Sequence, residues 1–213
     1  MRRFIVGVTG ASGSICARSL IRELAQHPDV DRIHVVLSRF SLLTLNAELG
    51  ISAKNEAEGL RALLNSPSGK ERRAGKRSSA SPGKVTLHRP GDMAAAISSG
   101  SYPTDGMIVV PCSGGTLASI ATGVSSNLIH RAAEVTLKER RPLVLAFRES
   151  PINLVHIENM RRATLAGAII FPLTPAFYNR PGGLEEIATQ FTGRILDLLG
   201  LEHSLGRRWG EKR

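Results

Sequence analysis

Two groups of polar residues follow short apolar runs, and their types suit the binding of a phosphate-bearing ligand. Residues 107–110 run into Pro-Cys-Ser-Gly-Gly-Thr at 111–116, and residues 143–147 run into Arg148 and Glu149. The Ser113 and Thr116 hydroxyls, together with the unpaired backbone N–H groups that open a helix, could hold a phosphate. They could also cap the helix and do nothing else, and the sequence leaves both interpretations open.

A second candidate for ligand binding is a glycine turn near the start of the chain. Gly7, Gly10 and Gly13 recur at every third residue, and Thr-Gly-Ala-Ser-Gly at 9–13 lies between an apolar run and a helical pattern. Glycines at this spacing let the backbone approach an anion or a polar ring edge at a helix N-terminus. Glycines that serve only the turn are the simpler alternative.

The residues after the apolar run 33–37 bear on a nicotinamide cofactor. An Asp or Glu at this point would hold the ribose of NAD, but Ser38 and Arg39 stand there. Neither Tyr102 nor Tyr178 is followed by Lys four positions later, as in the usual short-chain reductase pair. A plain NAD enzyme is therefore disfavoured, and an NADP reductase is left as a distant alternative.

Three cationic residues are placed where an anion could meet them. Arg131 and Lys138 are seven residues apart on a predicted helix, hence on one face about two turns apart. Lys138 could instead complement the C-terminus of that helix. Arg194 follows Phe191 on the apolar face of the last helix, where an arginine costs free energy unless an anion meets it. A ligand phosphate and a structural Asp or Glu both fit that pattern.

The elements that carry these residues predict an α/β fold. Short apolar runs joined by helical segments are typical of parallel strands buried on both faces, with right-handed crossovers. We expect a Rossmann-like or flavodoxin-like, three-layer open parallel sheet with helices on both faces, as a single domain over residues 1–213. The predicted strands are 4–8, 33–37, 107–110, 143–147 and 168–171. Helices are predicted directly after Gly13, over 41–48, 94–97 and 116–121, directly after Asn127, and over 153–165 and 184–198.

Composition limits the possible partners. The net charge is +10, of which +6 arises between residues 70 and 89 from seven Lys or Arg against one Glu. Because residues 65–90 are also rich in Ser, Gly and Pro, we expect a flexible basic insertion there; a patch for RNA, a membrane or an acidic partner is the alternative. Two cysteines without a C-x-x-C pair, and no long apolar run, predict a cytoplasmic protein that binds neither nucleic acid nor a membrane.

Ordered motifs cover nearly the whole chain except residues 51–90. They are T-G-A-S-G at 9–13, P-C-S-x-x-T at 111–116, N-L-I-x-R-A-A-E-V-x-L-K-E-R-R-P-L-V-L at 127–145, R-E-S-P at 148–151, H-x-E-N-M at 156–160, P-A-F-Y at 175–178 and R-W-G-E at 208–211. Together they resemble the flavin prenyltransferases of the UbiX type. That family joins a dimethylallyl group, supplied as its monophosphate, to N5 and C6 of reduced FMN, for use by UbiD-type decarboxylases. The resemblance also implies a homo-oligomer, with twelve chains expected.

The same resemblance implies roles for individual residues. Contacts to FMN are implied for Gly10, Ala11, Ser12, Ser38, Ser113, Gly114, Gly115, Thr116 and Arg148. Substrate binding is implied for Arg131, Lys138, Tyr178 and Arg194. Catalytic roles are expected for Ser12, Glu48, Lys138, Glu149 and Trp209, although Trp209 could also serve only in packing.

The chemistry of these residues agrees with such a reaction. An allylic phosphate leaves when its growing negative charge is stabilised, and cations with a tyrosine hydroxyl can do this. The chain has no D-D motif, and its six histidines show no metal-ligand spacing, so we expect no metal. Cys16 replaces a residue that is commonly aromatic in the family. A flavin-dependent decarboxylase and a non-catalytic accessory flavoprotein are the alternatives.

Overall fold

A six-stranded parallel sheet forms the centre of the chain. In the computed structural model, which describes residues 1–65 and 82–206, the strands are β1 (Arg2–Val8), β2 (Val30–Leu37), β3 (Val85–His88), β4 (Gly106–Cys112), β5 (Leu143–Phe147) and β6 (Ile169–Pro172). Their order is β3-β2-β1-β4-β5-β6, and every neighbouring pair is parallel. The order reverses between β1 and β4. Open α/β sheets bind ligands at the carboxyl edge beside such a switch point.

Seven α-helices among the described residues cover the sheet. They are α1 (Ser14–Gln26), α2 (Ser41–Leu49), α3 (Glu56–Asn65), α4 (Gly114–Thr122), α5 (Leu128–Lys138), α6 (Leu154–Leu165) and α7 (Leu184–Leu198). Helices α1, α2, α3 and α7 pack on one face, and α4, α5 and α6 pack on the other. The Rossmann-like, three-layer prediction is confirmed. None of the helices in the described part of the chain is long and apolar enough to cross a membrane.

The strands form because their apolar residues find partners on both faces of the sheet. In β1, Phe4 and Val6 pack in the cluster that contains α1, whereas Ile5 packs in the cluster that contains α5. All seven residues of β4 are buried. Burial on both faces explains why these runs are nearly unbroken in sequence instead of alternating between apolar and polar residues.

The predicted insertion at residues 65–90 differs from the structure at both ends. Asn65 belongs to α3, and residues 85–88 form the edge strand β3, beside β2. Lys84 donates to the carbonyl O of His27 at 2.9 Å, which holds this end in place. The prediction of a flexible segment is therefore wrong for residues 85–88, and residues 66–81 lie outside the described part of the chain. The sequence pattern did not predict this strand, because its four residues are only half-buried and form no apolar run.

The predicted helix at 94–97 is also wrong. The chain there makes only a single 3-10 turn, Ala96–Ser98. The predicted helix start at Asn127 is confirmed, because its side-chain oxygen accepts the His130 N–H at 3.0 Å.

Candidate functional site

Thr9 ties together the loops that follow β1 and β4, on the two sides of the switch point. Its hydroxyl donates to the carbonyl O of Pro111 at 2.6 Å and accepts the N–H of Ser113 at 3.0 Å. Thr9 itself is almost fully buried. The loop of residues 9–13 and the loop of residues 113–116 therefore form one continuous surface at the carboxyl edge of the sheet, which we call the loop platform.

A carboxylate of the protein occupies the N-terminus of α1. Glu48, from α2, accepts the N–H of Gly13 at 3.0 and 3.1 Å and the N–H of Ser14 at 2.7 Å. Burial acts to raise the pKa of Glu48, but hydrogen bonds from the Ser12 hydroxyl and these two N–H groups outweigh it and hold the pKa below its ordinary value. Glu48 is thus ionised at neutral pH. At Gly13 and Ser14, the anion on this helix start is a side chain and not a ligand.

The N-terminus of α4 leaves backbone donors open. Ser113 is the N-cap: its side-chain oxygen accepts the Thr116 N–H at 3.4 Å, and its hydroxyl donates to Thr116 Oγ1 at 3.1 Å. The N–H groups of Gly114 and Gly115 have no acceptor among the described residues. The two hydroxyls therefore cap the helix while the two glycine N–H groups stay open, so capping by Ser113 does not prevent an anion from binding there.

Ser38 and Arg148 extend the loop platform on either side. Ser38 follows β2, and its side-chain oxygen accepts the Ser41 N–H at 3.2 Å. Arg148 follows β5, its backbone N–H donates to the carbonyl O of Cys112 at 3.2 Å, and its side chain is exposed. Glu149 is exposed beside it. The residues that the resemblance assigns to FMN thus follow four adjacent strands, β2, β1, β4 and β5.

An open cavity of about 710 Å³ lies between the end of β6 and α7. Tyr178, in a 3-10 turn after β6, and Arg194, on α7, both line it. The loop after β6 contacts both sites: Pro172 and Thr174 line the cavity, and a Cβ built on Gly13 would be 3.2 Å from Cδ1 of Leu173, which lies between them in sequence. The structure therefore places these two predicted substrate-binding residues on one cavity. Arg194 lies five residues before Leu199, whose carbonyl O accepts from Arg2 at the start of β1, so this end of the cavity is away from the predicted flavin loops.

The prediction that Arg194 lies on the apolar face of the last helix is wrong. Its side chain is 69% exposed, and its Nη1 donates to Asp197 Oδ2 at 2.6 Å. Three residues of helix turn the side chain about 60° away from Phe191, which is enough to leave the apolar stripe. Of the two partners considered for Arg194, the structure contains the carboxylate.

Arg131 and Lys138 share a face of α5, and Lys138 lies away from the loop platform. Lys138 closes α5 near the amino edge of the sheet, where it pairs with Glu139. Arg131 pairs with Glu134 at 3.1 Å. The five residues of β5, which separate Lys138 from Arg148, span about 17 Å. Lys138 therefore cannot join Arg148 in a site built from one chain.

Trp209, a metal ion and the Cys16 thiol are three further groups whose role would be chemical. Trp209 lies outside the described residues, and its role stays a prediction. Within residues 1–65 and 82–206, no group of three or more His, Cys, Asp or Glu could hold a metal ion. Burial, and then the charge of Glu48, raises the pKa of Cys16 to about 12, so this thiol stays neutral and is not a nucleophile.

The sequence reasoning missed two residues that shape the site. The sequence predicts Thr9 only as part of the glycine turn, although a hydroxyl directly after a buried strand can indicate a contact with a neighbouring loop. His156 and Asn153 cap α6 reciprocally, at 3.0 and 3.3 Å. The His156 ring also lies against Gly114, where a Cβ would be 3.1 Å from Nε2. The Asn-x-x-His pattern could have signalled the cap, but not this contact across two helices.

Comparison with known proteins places the chain in a family. The family model described as Flavoprotein matches residues 1–188. The flavin prenyltransferase LpdB of Lactiplantibacillus plantarum is 39% identical over 209 residues, which are 98% of this chain and 98% of LpdB. This chain is a member of the UbiX-type flavin prenyltransferase family. The resemblance inferred from the motifs is thereby confirmed.

Two solved structures share the fold of this UbiX-type chain. A crystal structure of AnUbiX (PadA1) in complex with FMN and dimethylallyl pyrophosphate has a TM-score of 0.81 and 38% identity, covering 100% of this chain and 99% of that one. A dodecameric FMN-dependent UbiX-like decarboxylase from Escherichia coli O157:H7 has a TM-score of 0.81 and 39% identity, covering 98% and 100%. Both similarities extend over the loop platform and the cavity of the UbiX-type chain.

Proposed function

We propose that this chain transfers the dimethylallyl group of dimethylallyl monophosphate to N5 and C6 of reduced FMN, with release of phosphate. The observation that carries the proposal is the presence of two complementary sites on one chain. The loop platform offers donors for a flavin nucleotide, and the cavity with Tyr178 and Arg194 offers donors for an anionic co-substrate. The loop after β6, in which Leu173 packs beside Gly13 and Pro172 and Thr174 line the cavity, runs between them. AnUbiX, crystallised with both FMN and dimethylallyl pyrophosphate, supports this pairing.

The loop platform fits FMN by the chemistry of its donors. The open N–H groups of Gly114 and Gly115 and the guanidinium of Arg148 suit phosphate and ribityl oxygens. At Gly10 the backbone must stay bare, because a Cβ would be 2.7 Å from the Cβ of Phe40. Reduced FMN supplies a nucleophilic N5, which oxidised flavin lacks. The residues that would hold it are Gly10, Ala11, Ser12, Ser38, Ser113, Gly114, Gly115, Thr116 and Arg148.

The cavity residues would bind the phosphate that leaves. Charge grows on the phosphate as the allylic C–O bond breaks, so donors fixed around it lower the barrier. Arg194 and the Tyr178 hydroxyl supply such donors in one chain. Lys138 can add its charge only from a neighbouring copy, because it lies away from the loop platform of its own chain. The complete phosphate site is therefore shared between chains.

Ser12, Glu48 and Glu149 would donate and accept protons at the reacting edge of the flavin. The Ser12 hydroxyl donates to Glu48, whose pKa is held low, so the ionised Glu48 orients Ser12 toward its partner. Glu149, exposed at the end of β5, is placed to exchange a proton with water. Trp209 would offer a π face to positive charge on the allyl group. No metal takes part in this scheme.

Assembly follows from the apolar surface as well as from Lys138. On and beside α6, Ile152, Leu154, Val155 and Leu165 are all more than half exposed. Exposed large apolar side chains on and beside one helix are typical of a surface that other copies cover. The related Escherichia coli enzyme is dodecameric. We propose a homo-oligomer of twelve chains in the cytoplasm, whose product passes to a UbiD-type decarboxylase.

Anaerobic incubation with reduced FMN and dimethylallyl monophosphate tests the proposal. We expect phosphate release and a flavin heavier by one five-carbon unit, unchanged by EDTA. A bound flavin of unchanged mass would refute the transferase and favour the decarboxylase or accessory alternatives.

Two variants separate the phosphate site from the flavin site. Lys138→Ala and Arg194→Ala should each lower kcat/KM for dimethylallyl monophosphate by roughly 10- to 150-fold, because each removes a charge-assisted partner. FMN affinity, measured by fluorescence quenching, should stay as in the unaltered chain. Loss of FMN binding in both variants would place these residues in the flavin site instead.

A further inference from the structure

A chain of hydrogen bonds runs along one wall of the cavity and ends on Arg194. Arg194 Nη1 donates to Asp197 Oδ2 at 2.6 Å, and Asp197 Oδ1 is 3.0 Å from His203 Nε2. The N–H of Leu205 donates to His203 Nδ1 at 3.0 Å. All four residues line the cavity. The carboxylate of Asp197 therefore connects the arginine on α7 to the segment of residues 203–206 beyond it.

The direction of each bond in this chain is fixed by the backbone. Because the Leu205 N–H donates to His203 Nδ1, that nitrogen carries no proton in the neutral ring. The proton is then on Nε2, which donates to Asp197 Oδ1. With one carboxylate oxygen held in this way, the other oxygen is directed at Arg194. The backbone of the 203–206 segment thus determines how Asp197 is presented.

The wall is packed too closely for this arrangement to be a loose surface contact. A Cβ on Gly193 would be 2.9 Å from His203 Cε1 and 3.0 Å from the carbonyl O of Leu205. The side chain of Asp197 is 22% exposed, against 69% for Arg194. The anchor is therefore partly shielded while the arginine extends into solvent. An exposed ion pair three residues apart adds little to stability, so its main effect is on where the guanidinium points.

We infer that Asp197 and His203 are positioning residues that hold Arg194 toward the anion of the substrate; this inference rests on the proposed function. One of the five N–H groups of Arg194 is used by Asp197, which leaves most of the fork for a phosphate. Without the anchor, a long exposed side chain samples many rotamers, and binding must order it. The anchored arginine meets the phosphate with less loss of freedom.

Equilibrium binding to the oxidised holoenzyme tests this without turnover. Dimethylallyl monophosphate is titrated calorimetrically into protein loaded with oxidised FMN, which cannot attack the allyl group. Asp197→Asn should weaken binding about tenfold, because it removes the charge that holds Arg194. Arg161→Gln, which breaks the Glu158 pair of 3.1 Å on α6, is the matched control and should bind as the unaltered chain does. Unchanged or tighter binding by Asp197→Asn would overturn the inference.

A double-mutant cycle distinguishes positioning from general destabilisation. If Asp197 acts through Arg194, adding Asp197→Asn to Arg194→Gln should weaken binding no further. A further loss of similar size would show that Asp197 acts otherwise. A holoenzyme that binds dimethylallyl monophosphate but never prenylates refutes the proposed function alone, and one that does not bind it refutes both.

Two substitutions of His203 test the anchor itself. The side-chain nitrogen of His203→Gln can occupy the place of Nε2 and donate to Asp197, whereas His203→Asn can replace only the acceptor at Nδ1. We expect the Gln variant to bind within about twofold of the unaltered chain and the Asn variant to resemble Asp197→Asn. Equal binding by both would show that the hydrogen bond from His203 to Asp197 does not position Arg194.

Discussion

Mixing two variants of low activity would show whether catalytic groups from different chains meet in one site. The variants are Lys138→Ala and Glu149→Gln, each expected to have much lower activity alone. Lys138 ends α5 near the amino edge of the sheet, and Glu149 follows β5 at the carboxyl edge. The intervening strand spans about 17 Å, far more than a lysine side chain can reach. The two residues can therefore act together only across two chains.

The amount of activity recovered follows from counting the mixed sites. In oligomers that contain both variants at equal levels, a site is intact when its Glu149 comes from one variant and its Lys138 comes from the other. Random assembly makes about a quarter of the sites intact in a symmetric homo-oligomer. If both residues came from the same chain, every site would carry one defect and no activity would return.

Co-expression with two affinity tags provides the mixed oligomers, and mass spectrometry of the prenylated flavin per bound FMN gives the activity. Ser12→Ala with Glu149→Gln is the control, because both residues lie on the loop platform of one chain, and this mixture should stay inactive. No recovery by the first pair, or equal recovery by the control pair, would refute the shared site.

Three further predictions concern stability and the basic segment. Burial, and then the charges of His88, Arg32 and Arg3, lowers the pKa of His34 to about 4. Between about pH 6.5 and pH 4, His34 is therefore protonated in the unfolded chain but neutral in the folded chain. Stability should fall as pH drops from about 6.5 toward 4, by at most about 3 kcal/mol per chain, and thermal melts of a His34→Gln variant should show less of this fall. Glu48→Gln should cost about 1 kcal/mol in urea unfolding at pH 7, since it removes the charge on the start of α1, and an unchanged midpoint would contradict that role. Replacing residues 68–81 with a short Gly/Ser linker should leave FMN affinity and turnover within about twofold; loss of both in a folded protein would show that the segment serves the site.

The central strands and helices could be predicted from the sequence because their signals are local. An apolar run such as 143–147 and a cap such as Asn127 each report their own element. The edge strand β3 could not be predicted, because its residues are half-buried and pair with only one neighbour. Site residues that act on distant loops, such as Thr9, leave no pattern in their own neighbourhood.

The position of Lys138 could be predicted only in part from the sequence. Its spacing from Arg131 correctly placed both on one helix face, but spacing says nothing about which edge of the sheet that face meets. The polarity of the fold does: a helix between parallel strands must run back toward the amino edge, so its last residue lies away from the loops that bind ligands. The ion pair of Arg194 with Asp197 was one of two alternatives, and only the geometry of α7 could decide between them.

The carboxylate of Glu48 on the start of α1 has a consequence for how quickly the flavin can associate. Because Glu48 and Thr9 hold the loop of residues 9–13 before any nucleotide arrives, FMN meets a surface that needs no ordering step. The observed association rate should then rise in proportion to FMN concentration without reaching a plateau, since no slow isomerisation precedes or follows the encounter. The same preformed surface limits the heat-capacity change of binding to the area that the flavin itself covers.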